Sequence, residues 1–312
     1  MIDVGARLVS ALGSDRVRHE APLAPMTTFR VGGPAEWLVD VHGGEALRTV
    51  IAIATDAGLG VTALGGGSNV LVSDAGVRGI VVRVHGGEAH ALDGATVRAD
   101  AGITMNGLVR WTINRGLAGL EEWAGTPGTV GGAVFGNAHF KGRLISEVVT
   151  RVTLLTPAGQ IQDISVGEME FGYDFSRLHR TRELVVSADF HVYSGDPAAL
   201  RVTARASLAF RKRTQPLESA SAGCIFQNPD PARDRVPEGI PPSAGALVDR
   251  AGLKGARQGA ACVSTTHANF IINEGGATAR DIRALIDRCK SEVRARFGVA
   301  LREEIMYLGE GI

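Results

Sequence analysis

Gly125-Thr126-Pro127-Gly128-Thr129-Val130-Gly131-Gly132-Ala133, followed by Gly136-Asn137, sets four glycines within eight residues, with a hydroxyl and small side chains between them. Such a run leaves successive backbone N–H groups accessible, and these can cradle a pyrophosphate without a cationic side chain. Earlier in the chain, Leu64-Gly65-Gly66-Gly67-Ser68-Asn69-Val70 follows a strand-like segment and offers a second concavity of the same kind. This second stretch is not the dinucleotide fingerprint, because Val70 stands where its third glycine is required and a strand, not a helix, follows. A Walker loop is excluded as well, since the chain contains no Gly-Lys dipeptide. Taken singly, each stretch could be a tight turn between strands. Two of them in one domain point to one extended cofactor that carries a diphosphate.

Around these loops the spacing predicts alternating strands and helices. Ile2 to Leu12 has helical spacing and stops at Gly13, and a loop runs from there to Arg30. Glu36 to Val41 reads as a strand, Glu45 to Ala57 as a helix ended by Gly58, and Val61 to Leu64 as a second strand, which together make a β-α-β unit. Val70 to Val72, Ile80 to Val84 and Ala95 to Ala99 read as strands and Ile103 to Arg115 as a helix. A hairpin is expected from Val148 to Leu155 and Ile161 to Ile164, turning at Pro157-Ala158-Gly159, with a further strand from Leu184 to Tyr193. Asp196 caps a helix reaching about Arg213, and Gln215-Pro216 ends it. Five prolines between Pro229 and Pro242 mark a loop inside a domain. The last helix opens with the capping box Thr278-x-x-Asp281, and Ile282, Leu285, Ile286, Cys289, Val293 and Phe297 recur on one face, which makes Cys289 a core residue.

The chain has 312 residues, of which 41 are glycine, about twice the average usage. Its 45% hydrophobic and 21% charged residues argue for a globular protein. Thirty-three basic residues balance thirty-three acidic ones, so no charge excess points to nucleic acid or to a membrane surface. Cys224, Cys262 and Cys289 form no C-x-x-C and suggest neither a disulfide framework nor a zinc site. No metal is expected. No apolar run approaches the length needed to span a bilayer, and a cytoplasmic protein is the expectation.

With both loops in view, the sequence closely resembles the UDP-N-acetylenolpyruvoylglucosamine reductase family of flavoenzymes. The resemblance runs through Thr27-Thr28-Phe29-Arg30-Val31-Gly32-Gly33-Pro34-Ala35, the two glycine stretches, Phe171-Gly172-Tyr173, and Ser221 to Pro229. It continues through Gly245 to Gly255, His267-Ala268-Asn269-Phe270-Ile271-Ile272-Asn273 and Leu301 to Gly309, in family order. It implies an α+β fold: a vanillyl-alcohol-oxidase-type (PCMH-type) FAD-binding domain of two α+β subdomains, 1–84 and 85–205, followed by a smaller α+β substrate domain, 206–312. FAD would lie against Gly65, Gly66, Gly67, Ser68 and Asn69 on one side and Thr126, Pro127, Gly128, Gly131, Gly132, Ala133 and Asn137 on the other. The implied reaction is NADPH-dependent, FAD-mediated reduction of the enolpyruvyl ether of UDP-N-acetylglucosamine to UDP-N-acetylmuramate, in peptidoglycan precursor synthesis. The partners are then the UDP-sugar and NADPH, and a monomer is expected. The alternatives are another FAD-dependent oxidoreductase of the same fold and a non-catalytic nucleotide-binding protein.

Hydride arriving at the terminal carbon of an enol ether conjugated to a carboxylate builds negative charge on that carboxylate. The reaction therefore needs an electropositive group there and an acid for the adjacent carbon. The resemblance assigns the acid to Cys224, directly after Gly223; an ordinary thiol, with a pKa of about 8.5, is protonated at neutral pH. It assigns support of the carboxylate-bearing intermediate to Glu304, with Glu303 on the opposite face if this is a strand. Substrate contacts fall on Tyr173, Arg211, Asn228 and Lys254, with Arg213 a further candidate. The sequence departs from the family after Tyr173, where Asp174 replaces the arginine that clamps the substrate carboxylate; Arg177, three residues on, is the candidate substitute. Thr214 and Gln227 occupy places where relatives often have lysine. Few residues separate Tyr173 from the strand at Leu184, which suggests the shorter branch without an added tyrosine-bearing loop. His267 reads as part of a turn before the Phe270 to Ile272 strand.

Overall fold

A computed structural model describes residues 3–312. Among these, the chain forms two compact units, neither contiguous in sequence. The first takes the residues up to Ala21, Glu36–Gly66 and Arg78–Phe210; the second takes Pro22–Ala35, Gly67–Val77 and Arg211–Ile312.

In the first unit one sheet has the order Val17–Pro22, Pro34–Val41, Val77–Val84, Val61–Leu64, and the last two strands are parallel with Val61 opposite Ile80. The β-α-β reading is right in its elements, and Val77–Val84 lies between the two strands it joins. Helices Val4–Leu12 and Gly43–Ala57 belong to this layer, and Leu8, Leu47, Val50 and Ile53 are buried with Val39, Val41, Ile80 and Val82. Gly58 ends the second helix in the left-handed conformation, which a residue without a Cβ reaches at little cost. The expected start of the first helix at Ile2 lies outside the described residues.

A second sheet in this unit has the order Ile161–Ser165, Val149–Leu155, Leu184–His191, Thr96–Asp100, Ala89–Ala91 and is antiparallel throughout. The expected hairpin is its outer pair, with Leu155 opposite Ile161. Inward residues such as Val97, Val152, Leu154 and Phe190 are buried with Leu108 and Val109 of the helix Met105–Asn114. Two segments read as loops are partly regular. Val17–Pro22 is a strand, and Val130–Phe135, inside the long glycine stretch, is a short helix whose N-cap Thr129 accepts from the Gly132 N–H.

The second unit is built on the helix Ala279–Phe297. Its capping box is complete: the Asp281 N–H donates to Thr278 Oγ1 at 3.1 Å and the Thr278 N–H to Asp281 Oδ2 at 3.0 Å. Asp74, distant in sequence, accepts from the Ala279 and Arg280 N–H groups and so satisfies two more of the orphan donors at this helix start. Ile282, Leu285, Ile286, Cys289 and Val293 are buried, as the periodicity predicts, against Leu247, Val248, Val263 and Ile271. The helix Ala244–Arg250 and the antiparallel strands Arg257–Gln258, Ala261–Val263 and Ile271–Asn273 complete this layer. Met306–Leu308 pairs in parallel with Val70–Val72, Met306 opposite Val70, and carries the early segment into this unit. Removing the cap with Thr278→Ala is expected to destabilise the protein by about 1 kcal/mol, read as a lower urea midpoint with unchanged slope. An unchanged midpoint would mean that Asp74 alone suffices. Among the described residues no helix is long and apolar enough to cross a membrane.

Candidate active site

The two glycine stretches meet within the first unit. The strand Val61–Leu64 delivers Gly65 and Gly66, and a Cβ at Gly65 would stand 2.5 Å from Thr129 Oγ1. One at Gly66 would stand 2.7 Å from Gly128 Cα, closer than any side chain can approach backbone. The 125–132 stretch is held from behind: Gly125 N–H donates to Asn106 Oδ1, Val130 N–H to the Ile103 carbonyl and Gly131 N–H to the Ala101 carbonyl. Ala133 faces the core.

Beyond Gly66 the chain enters the second unit. Gly67 is left-handed (φ +61°), a Cβ there would collide with the Met26 carbonyl, and the Gly67 carbonyl accepts from the Thr28 N–H. Among the described residues the N–H groups of Gly66, Gly67 and Ser68 donate to no protein acceptor. Adjacent amides without acceptors, on a turn that only glycine can make, are the chemistry of an anion nest, and they fit a diphosphate. The donor set therefore suits FAD, and it needs no cationic residue.

The Asn69 side chain is used differently. Its Nδ2 donates to the Glu304 carbonyl at 3.1 Å, and the Asn69 backbone carbonyl accepts from the Met306 N–H at 2.9 Å, so the end of the loop is stitched to the last strand. Asn137 is fully buried; its Nδ2 donates to the Gly172 carbonyl at 2.7 Å and its Oδ1 accepts from the Ser146 N–H. Both are positioning residues first.

In the second unit Cys224 and Glu304 lie on paired segments. The Glu304 N–H donates to the Ile225 carbonyl, the Gln227 N–H donates to the Arg302 carbonyl, and Phe226 bridges Glu303. Buried Asn269 clamps the first segment, accepting at Oδ1 from the Phe226 N–H and donating from Nδ2 to the Phe226 carbonyl. Glu303 and Glu304 precede the last strand, Met306–Leu308, and Glu303 pairs with Lys290 Nζ, 2.5 Å away on the long helix, and with Arg283. Cys224 is a thiol, half-buried, and Arg211 is 6% exposed beside it. Burial lowers the Arg211 pKa to about 10, opposed by the attraction of the Cys224 sulfur, and this still leaves the guanidinium charged at neutral pH.

The remaining substrate candidates have structural partners. Asn228 Oδ1 accepts from the Ala244 N–H at the start of the helix Ala244–Arg250, and Lys254 Nζ pairs with Asp249 at 2.8 Å near the surface. His267 belongs to a turn: its Nδ1 accepts from the Asn269 N–H and its ring lies against Phe270. Burial, with the nearby Lys254 charge, lowers its pKa and keeps it neutral.

Back in the first unit, Arg177 also has a structural partner. Its Nε and Nη2 form a fork on the two oxygens of Glu183, at 2.9 and 2.8 Å, and Gln162 also donates to that carboxylate. Burial pushes the Glu183 pKa up, but the hydrogen bonds and the Arg177 charge prevail and hold it below the usual range. In this arrangement the guanidinium is the counterion of Glu183. Arg177→Gln is expected to destabilise by about 3 kcal/mol, as breaking a buried pair does, with KM for the proposed UDP-sugar unchanged. A raised KM at unchanged stability would restore the clamp reading.

The turn before it holds the residue that sequence reasoning missed. Gly172 and Phe175 exchange hydrogen bonds around Tyr173 and Asp174, the latter at φ +51°. His139 Nδ1 donates to Asp174 Oδ1 at 2.9 Å, and its ring centroid is 4.9 Å from that of exposed Tyr173. The available signal was the aspartate itself, a buried charge that requires a partner.

Family comparison agrees with this geometry. Residues 35–165 match the family model of an FAD binding domain, and residues 215–308 that of the UDP-N-acetylenolpyruvoylglucosamine reductase C-terminal domain. UDP-N-acetylenolpyruvoylglucosamine reductase 2 of Symbiobacterium thermophilum is 41% identical, covering 94% of this chain and 92% of its own. The reductase of Gloeobacter violaceus is 38% identical over 96% of this chain and 98% of its own. The crystal structure of UDP-N-acetylenolpyruvylglucosamine reductase (MurB) from Thermus caldophilus superposes with a TM-score of 0.78 at 32% identity, covering 94% of this chain and 99% of its own. Matched over nearly its whole length, the chain belongs to the UDP-N-acetylenolpyruvoylglucosamine reductase family of FAD-binding oxidoreductases.

Proposed function

We propose that the protein reduces UDP-N-acetyl-3-O-(1-carboxyvinyl)glucosamine to UDP-N-acetylmuramate with electrons from NADPH, in peptidoglycan precursor synthesis. The observation that carries this reading is the pairing of the Cys224 and Glu304 segments beside buried Arg211. An acid, a carboxyl group and a guanidinium are what protonation of a carboxylate-bearing carbanion requires.

The Gly65 and Gly66 amides and the 125–132 stretch would hold FAD, which when bound would supply the hydride at the expense of NADPH. As hydride reaches the terminal carbon of the enolpyruvyl group, negative charge moves onto the substrate carboxylate. Cys224 gives its thiol proton to the adjacent carbon, and the Arg211 guanidinium stabilises the thiolate that remains until solvent reprotonates it. Glu304, in its acid form, donates a hydrogen bond to the charged intermediate. Tyr173, Asn228 and Lys254 are proposed to contact the UDP-sugar. The cofactor would be carried by 1–84 and 85–205 and the substrate by 206–312, in a cytoplasmic monomer.

The purified protein is expected to be yellow, absorbing near about 450 nm, and to consume NADPH when the enolpyruvyl substrate is added. A colourless protein would point to a non-catalytic nucleotide-binding role. A flavin-loaded protein whose NADPH consumption that substrate does not stimulate would point to another flavin oxidoreductase. Either outcome overturns the assignment.

A further inference from the structure

We propose that Asn269 is the positioning residue of the proton donor: its carboxamide, spent on the backbone of Phe226, sets where the Cys224 thiol stands. The inference rests on the function proposed above, in which Cys224 protonates the substrate, and it concerns residues of the second unit alone.

The segment that follows Cys224 has two edges. On one, the Ile225 carbonyl accepts from the Glu304 N–H at 2.8 Å and the Gln227 N–H donates to the Arg302 carbonyl at 2.9 Å. On the other, the partner of Phe226 is a side chain. Asn269 Oδ1 accepts from the Phe226 N–H at 2.9 Å, and Nδ2 donates to the Phe226 carbonyl at 2.7 Å. A residue of a neighbouring antiparallel strand exchanges the same two bonds, so the carboxamide stands in for a strand. Phe226 is 2% exposed, and its backbone groups need this partner because water does not reach them. The task takes a donor and an acceptor on one short planar fork: aspartate lacks the donor, and leucine, of similar size, lacks both.

Asn269 is itself held. Its N–H donates to His267 Nδ1 at 3.2 Å and its carbonyl accepts from the Ile225 N–H at 2.8 Å, so each of its polar groups is engaged. Three hydrogen bonds from this one residue therefore fix Ile225 and Phe226, directly after Cys224. On the other side of the thiol stands Gly223, left-handed at φ +80° with nothing within 4 Å of where a Cβ would be. Glycine reaches that conformation at little cost but does not enforce it. The fixed side of Cys224 is thus the one that Asn269 grips.

The test uses the full-length flavoprotein, reduced anaerobically with NADPH and then mixed with enolpyruvyl-UDP-N-acetylglucosamine, with rates taken per bound flavin. Asn269→Gln keeps both hydrogen-bonding groups but adds a methylene. A shift of about 1 Å in the segment is expected to slow flavin reoxidation by about 10–100-fold, while flavin reduction by NADPH stays at the wild-type rate. The deciding arm is the double variant. Cys224→Ala combined with Asn269→Gln is expected to reoxidise no more slowly than Cys224→Ala alone, because a residue that acts through the thiol then has nothing left to position. A merely structural role slows both backgrounds by the same factor. Should the glutamine variant not fold, Asn269→Ser takes its place, removing the fork without adding bulk. A full reoxidation rate in a folded Asn269 variant, an equal further loss in the Cys224→Ala background, or loss of the fold in both variants overturns the inference. A wild-type protein that does not turn over this substrate overturns the proposed function instead.

Discussion

Cys224→Ala is expected to yield a folded, yellow protein whose flavin is still reduced by NADPH and whose reoxidation by the enolpyruvyl substrate is slower by about 10²–10⁴-fold, the usual contribution of a general acid. The expectation follows from the separation of roles. The groups fitted to hold the diphosphate are backbone amides of the glycine loops, and removing one sulfur from the Gly223 to Gln227 segment leaves them untouched. That segment is clamped by Asn269 on one side and by Arg302 and Glu304 backbone on the other, so the truncation removes a proton without moving the strand. Cys224→Ser keeps a hydroxyl donor at the same position and is expected to retain more activity than alanine. Stopped-flow measurement of both half-reactions checks this directly. Loss of NADPH-dependent flavin reduction in a folded alanine variant, or full substrate reduction by it, would remove the proton-donor role.

The second large effect concerns Gly66. Valine there would bring a Cβ within 2.7 Å of Gly128 Cα, and because the neighbour is backbone the two loops must part. A displacement of about 1 Å at a binding constellation weakens it by about 100-fold, so Gly66→Val is expected to purify without colour and to take up FAD poorly. Gly60→Ala is the control, since a Cβ there meets nothing within 4 Å. Flavin content after gel filtration and circular dichroism separates loss of the cofactor from loss of the fold. A Gly66→Val protein with full flavin occupancy would show that the contact between the loops does not shape the site.

Much of the fold was legible because its signals are local. The helix Ala279–Phe297 was readable from a capping box four residues long and a stripe at 3.6-residue spacing. The helix Gly43–Ala57 was readable from its periodicity and the glycine after it. The strand Val17–Pro22 was not, because it lies at the edge of its sheet and only Val17 and Ala21 in it are buried, leaving no alternation to find. The helix Val130–Phe135 was hidden by the glycines that made its segment look like loop.

The candidate site divides in the same way. Residues proposed to act through their own backbone, Gly65 to Ser68 and Gly125 to Gly132, stood out by composition. Residues whose role depends on a partner did not. Arg177 read as a possible clamp until Glu183 was found holding it, and His139 carried no signal until Asp174 was found beside it.

By itself, then, the amino-acid sequence determined most of the elements and the two amide-rich loops, because helix caps, periodicity and glycine's missing Cβ act within a few residues of chain. Only the tertiary structure decided which charges are satisfied and which segments share a unit. Met306 pairs with Val70, Asp74 caps a helix more than two hundred residues away, and Gly66 touches Gly128. Hydrogen bonds, ion pairs and close packing act over a few ångströms of space whatever the distance along the chain, and no local pattern records them.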